Sequence, residues 1–486
     1  MGTTTAIFLA GGRRCPTLSR MRNTLLNRWF ATEARAPDAP AVVEGGTGRV
    51  WTRSAVTAAS ARWAARFEEE AGASGVVRRR VAFSVPNGPG WFEAFLGILA
   101  SGGVPVPIDP AEPREAQVLA AGAVGSTHLW TGGALLRLEA PGRSGFARPP
   151  AAEGLVKMTS GSTGAPRGLP VGHAQMAADA AQICSTMGIG PGDSNLAAIP
   201  LGYSYGLGNI VVPLLVQGTR VICASSPLPH VIAAEASRHA PTVFPAVPPL
   251  LRALASSSVD RSSLASIRLV ISAGSPIEPE VARRFEARFG TRVHGFYGTS
   301  ETGGIAFDRA GDATLEGRSV GQPLDGVRIR AGRSGRFTVS SAAVAGSGRF
   351  SPGDRARMNR SGELVLLGRS DRVVKLAGRR VDLAEVESAL RAVPGTREAF
   401  AYFAAGGAGE LCAAVAPGPS PAEVRRHLRS RVAAWKVPSR IITLPSLPMT
   451  SRGKTDSRRL GQLLSAPRTV TSISTLRSAR QMSARR

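Results

Sequence analysis

The sequence predicts an α/β protein with two parts: a large N-terminal domain of helix-covered sheets carrying a small β subdomain, and a small α+β C-terminal domain. Three observations predict this. Between residues 54 and 289, segments with apolar residues at helical spacing alternate with short apolar runs, the pattern of layered α/β domains. Near residue 311 the texture changes to short β-like pieces separated by Gly, Ser and Arg turns. Gly368-Arg369-Ser370-Asp371 then opens a strand, turn and helix succession that reads as a separate compact unit of about 100 residues.

Each element follows from local pattern. Val56, Ala59, Trp63, Ala64 and Phe67 recur at helical spacing over residues 54–70, residues 80–85 read as a buried strand, and residues 90–100 are helical again. A strand at 104–108 ends at Asp109-Pro110. The alternation continues through residues 155–158, 171–187, 220–223, 269–272 and 279–289, so a parallel-rich sheet is expected under a helical cover. Residues 326–330 and 336–339 supply strands of the β subdomain. In the C-terminal part a strand at 372–376 precedes a turn at Gly378 and a helix at 383–391. Asp382 and Glu385 start that helix in capping-box fashion, and Pro394-Gly395 stop it. Residues 1–20 are expected to be disordered, with Met21 an alternative start. Residues 465–486, with five arginines and no acids, are expected to form a disordered basic tail. The domains are therefore 21–368 and 369–464.

With 486 residues, 43% hydrophobic and 19% charged, the chain has ample material for large cores. A net charge of +26 invites a nucleic-acid or anionic-membrane reading. Only four of the 60 basic residues are lysines, however (Lys157, Lys375, Lys436 and Lys454), and the arginines are scattered throughout. No ribonucleoprotein, zinc-finger or heptad pattern organises them, so no specific nucleic-acid partner is expected. Cys15, Cys184, Cys223 and Cys412 form no C-x-x-C pair, which fits a reduced cytoplasmic compartment. No apolar run approaches the roughly 18 residues of a membrane span.

Several segments carry chemistry. Thr159-Ser160-Gly161-Ser162-Thr163-Gly164-Ala165-Pro166-Arg167-Gly168 follows a strand and precedes the helix expected from residue 171. Its glycines let backbone N–H groups turn inward and its hydroxyls add donors, so it can cradle a polyphosphate; the alternative is a Gly/Ser surface turn. Gly295-Phe296-Tyr297-Gly298-Thr299-Ser300-Glu301-Thr302 sets a carboxylate beside a hydroxyl and aromatic rings, offering a platform for a base and an oxygen ligand for magnesium. In Ser351-Pro352-Gly353-Asp354 a carboxylate on a turn can accept from both ribose hydroxyls, or can simply stabilise the turn. Lys375, in Val374-Lys375-Leu376-Ala377-Gly378, and Lys454, in Ser451-Arg452-Gly453-Lys454-Thr455-Asp456, stand out where arginine has displaced lysine. A compact ammonium on a flexible stem can reach a phosphate in a way that a guanidinium fork does not reproduce.

In this order the segments resemble the core motifs of the adenylate-forming superfamily, which comprises acyl- and aryl-CoA synthetases, peptide-synthetase adenylation domains and firefly luciferase. The nearest likeness is to an AMP-dependent acyl-CoA ligase. The resemblance spans residues 25–464. It includes Ser101-Gly102-Gly103-Val104-Pro105-Val106-Pro107-Ile108-Asp109-Pro110, similar to the family's early G-x-x-x-x-P-x-D-P stretch, and Ser272-Ala273-Gly274-Ser275-Pro276, similar to its adenine-contacting loop.

The resemblance implies that ATP and Mg²⁺ activate a fatty or aromatic carboxylic acid to acyl-AMP, and that the acyl group then passes to coenzyme A. Carried over by position, Thr159, Ser160, Gly161, Ser162, Thr163 and Gly164, with Arg167 beside them, would hold the β- and γ-phosphates. Gly274, Ser275, Pro276, Phe296, Tyr297 and Gly298 would hold the adenine, Ser300 would contact the α-phosphate, and Glu301 would serve Mg²⁺. Asp354 and Arg369 would bind the ribose, Asp371 would be the hinge, Lys454 the adenylation lysine, and Lys375 and Gly378 part of the face for thioester formation.

Two positions depart from the pattern. Arg167 stands where the family usually has lysine, which keeps the charge. Tyr203, in Pro200-Leu201-Gly202-Tyr203-Ser204-Tyr205-Gly206, stands where many members have histidine. Tyr203, Tyr205 and Gly206 are expected in the acyl pocket. Tyr205 falls where amino-acid-activating members place an aspartate, so no carboxylate awaits an ammonium group. The apolar and aromatic stretches at 201–212 and 244–249 favour a fatty or aromatic acid.

Two other readings stay open at this point: a ligase that loads the phosphopantetheine of an acyl carrier protein, and a non-catalytic nucleotide or nucleic-acid binding protein built on the same fold. Because Lys454 and Lys375 serve different half-reactions from one small domain, that domain is expected to swing about Asp371. Replacing Lys454 should abolish adenylation yet spare thioester formation from a supplied acyl-adenylate. Assays of the separate half-reactions check this, and loss of both steps together would refute the division of labour.

Overall fold

The computed structural model describes residues 25–465 except 72–78, 140–148, 151, 161–165, 333, 345, 370–372, 377–378, 405–409, 433 and 451–454. The chain divides into two compact units, Met1–Gly368 and Arg369–Arg486.

In the first unit the principal sheet has nine strands. Their order is Gln322–Pro323, Gly303–Phe307, Val293–Thr299, Leu269–Ser272, Val243–Ala246, Ser194–Ala197, Arg220–Cys223, Pro40–Glu44 and Val50–Thr52. Its middle is parallel, with Val243 opposite Leu269 and Val270 opposite Val293. Both edges are closed by antiparallel strands. Ser194–Ala197, Val243–Ala246 and Leu269–Ser272 are buried along their whole length, as strands covered on both faces must be. A second sheet joins Val104–Pro107, Arg80–Phe83, Ser126–Trp130 and Leu135–Arg137. Against it the helix Pro89–Ala100 buries an aromatic group in which Trp91 and Phe95 stack at 5.2 Å. The β subdomain is the three-stranded sheet Arg328–Ala331, Phe337–Ser340 and Arg349–Phe350, followed by the pair Asp354–Met358 and Leu364–Arg369. Within this β texture Asp312–Glu316 forms one short helix.

One expectation needs correction. The helix expected from residue 171 begins at His173, and Pro166–Gly172 is a strand that pairs antiparallel with Glu153–Ser160. Pro170 keeps the preceding residue out of the helical region. Pro166 and Pro170 are tolerated because this strand pairs on one side only.

In the second unit, Glu398–Ala404 and Glu410–Ala416 pair antiparallel and Arg440–Thr443 adds in parallel. Side chains alternate across Glu410–Ala416. Leu411, Ala413 and Val415 pack with Val386, Leu390, Val424 and Leu428 of the helices Leu383–Arg391 and Pro421–Arg429. Cys412, Ala414 and Ala416 face Leu460 and Leu464 of the helix Ser457–Ser465. Pro421–Arg429 starts in a capping box that the sequence reading missed. Ser420 Oγ accepts from the Glu423 backbone N–H, and the Ser420 N–H donates to the Glu423 carboxylate at 2.9 Å. Among the described residues no helix is long and apolar enough to cross a membrane.

His173 links helix to helix: its Nδ1 accepts the Leu25 backbone N–H at 3.3 Å, which requires that nitrogen to be unprotonated. Burial pushes its pKa down from 6.5 to about 4. The unfolded chain therefore binds the proton first as pH falls, and stability present above the unfolded value is lost towards the folded one. Urea unfolding at pH 5 should show about 2 kcal/mol less stability from this group than at pH 7. His173→Gln should flatten that dependence, and an unchanged pH profile in the variant would remove His173 as its source.

Candidate active site

Adjacent parallel strands deliver their carboxyl ends to one edge of a sheet, where ligands of open α/β folds bind. Here Ser194–Ala197, Val243–Ala246, Leu269–Ser272 and the first half of Val293–Thr299 do so. Gly274, Ser275 and Pro276 leave the strand Leu269–Ser272 at this edge and are exposed.

Phe296 and Tyr297, expected together as the adenine platform, point to opposite faces because successive residues on a strand must. Phe296 is turned into the core, packed with Ile271, Ile305 and Leu324. Tyr297 is half-buried at the margin of the same cluster. Its hydroxyl donates to Asp354 Oδ2 at 2.6 Å, so the base-platform and ribose candidates, far apart in sequence, are joined.

Between Tyr297 and Gly298 the pairing with Gly303–Phe307 shifts register in a bulge, a device common beside active sites. A Cβ on Gly298 would lie 2.5 Å from the Gly303 carbonyl oxygen, so only glycine lets the chain double back so tightly. The turn that follows presents Glu301 exposed, and Ser300 Oγ lies 2.8 Å from Ser204 Oγ. Among the described residues there is no cluster of three His, Cys, Asp or Glu side chains able to cage a metal. A single open carboxylate fits Mg²⁺, which is commonly held by one or two carboxylates together with substrate phosphates.

The acyl-pocket candidates are anchored more firmly than the sequence suggests. The Tyr203 hydroxyl donates to the Asp109 carboxylate, and the Tyr205 hydroxyl donates to the Ile271 carbonyl at 2.8 Å. Burial raises the Tyr205 phenol pKa well above its usual value, so it stays a donor. Asn87 accepts the Leu201 N–H at 3.0 Å and donates to the Ile199 carbonyl at 2.8 Å. Gly206 is buried, and the chain passes into a π-helical turn, Leu207–Val211, a form concentrated at functional sites. Leu207, Ile210, Val211 and Val212 are core residues. Within 201–212, Gly202, Tyr203, Ser204 and Tyr205 are half-buried and the other residues are buried.

Of the phosphate-loop candidates, Thr159, Ser160 and Arg167 lie on two strands paired antiparallel, and a strand rather than a helix follows the loop. Thr159 pairs with Arg167 and donates through Oγ1 to its carbonyl at 3.2 Å; Ser160 pairs with Pro166, and Arg167 is exposed. Gly161, Ser162, Thr163 and Gly164 lie outside the described residues, as do Asp371, Gly378 and Lys454 and the side chains of Ser160, Arg369 and Lys375. Arg369 ends the strand Leu364–Arg369, and Lys375 lies on Val373–Leu376 opposite Arg380.

Sequence reasoning gave no role to Lys157, Asp179, Asn87 or the Asp109 side chain. For Lys157 there was a signal: a lone charge inside the apolar run Leu155-Val156-Lys157-Met158.

Residues 29–153 and 147–331 match the family described as AMP-binding enzyme, and residues 385–454 match the AMP-binding enzyme C-terminal domain. Phenyloxazoline synthase MbtB of Mycolicibacterium paratuberculosis is 31% identical over 90% of this chain and 42% of its own length. Benzoate–CoA ligase of Thauera aromatica is 30% identical over 61% of this chain and 63% of its own. The chain thus spans less than two thirds of either relative. The crystal structure of ATP-bound MatB from Rhodopseudomonas palustris superposes with a TM-score of 0.77 at 20% identity, covering 91% of this chain and 99% of that one, a likeness of fold.

Asp354→Ala should weaken ATP binding at least about tenfold by calorimetry, whereas Tyr297→Phe, which loses one hydrogen bond, should cost about 1 kcal/mol. Equal affinity of Asp354→Ala and the parent chain would remove this pair from the nucleotide site.

Proposed function

We propose that this chain, which belongs to the AMP-binding enzyme family of adenylate-forming proteins, is an acid–thiol ligase that activates a fatty or aromatic carboxylic acid with ATP and passes it to coenzyme A. The observation that carries this reading is the Tyr297–Asp354 hydrogen bond beside the turn bearing Ser300 and Glu301. In this reading these residues would supply a ring for the base, an acceptor for the ribose, a hydroxyl and a carboxylate for the metal.

In the first step a carboxylate oxygen attacks the α-phosphorus, the bond to pyrophosphate breaks, and acyl-AMP remains. In the second a thiolate sulfur attacks the acyl carbon, AMP leaves, and the thiol proton goes to solvent. Two anions must meet in the first step, so positive charge and oriented donors are needed where the transition state gathers charge. Mg²⁺, held by Glu301 and phosphate oxygens, would supply part of it. Arg167 and Lys454 would supply more, Ser300 would donate to the α-phosphate, and Gly274, Ser275, Pro276 and the Tyr297 ring would seat the base. Residues 159–164 would wrap the outer phosphates, Arg369 would join Asp354 at the ribose, and Asp371 would let Lys375 and Gly378 replace Lys454 between steps.

Tyr203 and Tyr205, with their hydroxyls already engaged, would present ring faces to the acid, which supports an aromatic or fatty acyl group over a charged one. The likeness to a benzoate–CoA ligase supports the same class. A carrier-protein thiol is the second reading, supported by the likeness to the much longer synthase. Cys184, Cys223 and Cys412 are free thiols, and a reducing cytoplasm would keep them so.

Pyrophosphate release with Mg-ATP across fatty, aromatic and amino acids, with and without coenzyme A, tests the proposal. Release confined to one acid class and accelerated by coenzyme A is the expected result. Release indifferent to coenzyme A would transfer the second step to a carrier protein, and no release with any acid would leave a nucleotide- or nucleic-acid-binding protein.

A further inference from the structure

Lys157 and Asp179 are almost completely buried, 2% and 3% exposed, and neither has a part in the chemistry above. They reach opposite ends of one turn. Lys157, on the strand Glu153–Ser160, donates from Nζ to the Ser300 carbonyl at 3.4 Å. Asp179, on the helix His173–Met187, accepts the Gly304 N–H at Oδ1, 2.8 Å away. Between those two points the chain carries Glu301, and Gly303 takes a left-handed φ of +70° in which a Cβ would fall 2.2 Å from Asp179 Oδ1. On its other side Asp179 Oδ2 would lie 2.9 Å from a Cβ on Gly208, in the π-helical turn that follows the acyl segment.

We infer that Lys157 and Asp179 are a buried charged clamp that positions the Ser300–Glu301 turn against both the phosphate hairpin and the acyl segment. Lys157 stands two places before Thr159 on the same strand, so Thr159 and the turn are fixed to a common frame. Ser204 Oγ, 2.8 Å from Ser300 Oγ, adds a contact from the acyl side. Two buried charges are an unusual choice here, because well-packed apolar residues of similar volume commonly match or exceed the stability of buried charged groups. What they add is direction: a long donor aimed at one carbonyl and an acceptor aimed at one N–H, with the opposite charge of each offsetting part of the burial cost of the other. Lys157 and Asp179 are thus positioning residues.

This inference rests on the proposed function for its meaning, though not for its test. The double variant K157M/D179N removes both charges while keeping an acceptor for Gly304, which avoids leaving one charge buried alone. Hydrogen exchange of the amides at 299–304, measured without ligand, should quicken at least about tenfold in a variant that melts cooperatively like the parent. In pyrophosphate release its kcat should fall at least about tenfold while KM for ATP and acid moves less than about threefold. Lys157→Gln, which keeps a shorter neutral donor, is measured in the same way should the double variant not fold, with a smaller change in the same direction expected. Unchanged exchange at 299–304, or a kcat within about threefold of the parent alongside an altered KM, overturns the clamp. If exchange quickens but the parent itself releases no pyrophosphate, the clamp stands and the ligase reading falls.

Discussion

Parallel strands cannot be joined by tight turns; each pair needs a crossover that carries the chain back to its starting edge. That constraint organises the first unit. It sends the segments after Ala197, Ala246 and Ser272 out at one edge, where residues distant in sequence meet. Two departures from the parallel rule then shape the site. Val293–Thr299 runs on past its parallel neighbour and folds back through a bulged hairpin, and Glu153–Ser160 makes a hairpin of its own. The parallel strands supply a rigid platform, and the hairpins bring polar groups above it.

Rigidity and polarity are reconciled by pairing. The hydroxyls of Tyr203, Tyr205 and Tyr297 each have a partner: a carboxylate, a carbonyl and a carboxylate in turn. A buried donor without a partner costs more than a hydrogen bond returns, so these contacts fix the rings as well as satisfying them. Asn87 does the same for the backbone at Ile199 and Leu201.

Elements with self-contained signals were legible in the sequence. The helix Pro279–Phe289 has proline in its first turn and Gly290 beyond its end at a left-handed φ of +74°, and its bounds follow from those residues. Leu383–Arg391 was equally readable from Asp382 and Glu385 at its start and Pro394-Gly395 beyond its end. The strand Pro166–Gly172 was not, because a short glycine- and proline-rich run has too little alternation to declare itself, and a phosphate-cradling loop invites a helix after it. The orientation of Phe296 depended on knowing that residues 293–299 form a strand. The partners of Tyr203 and Tyr205, Asp109 and Ile271, lie 94 and 66 residues away. Such distances are set by topology, which local pattern does not encode.

The nine-stranded sheet ends on one side in the two-residue strand Gln322–Pro323 and on the other in the three-residue strand Val50–Thr52. Pro323 has no N–H to offer, and the other margin carries Arg49 with its guanidinium 4.7 Å above the Trp51 ring. Margins this short, one broken by proline and one guarded by a cation, offer little template for a strand from another molecule. That sheet is thereby protected from growing by edge addition into ordered aggregates.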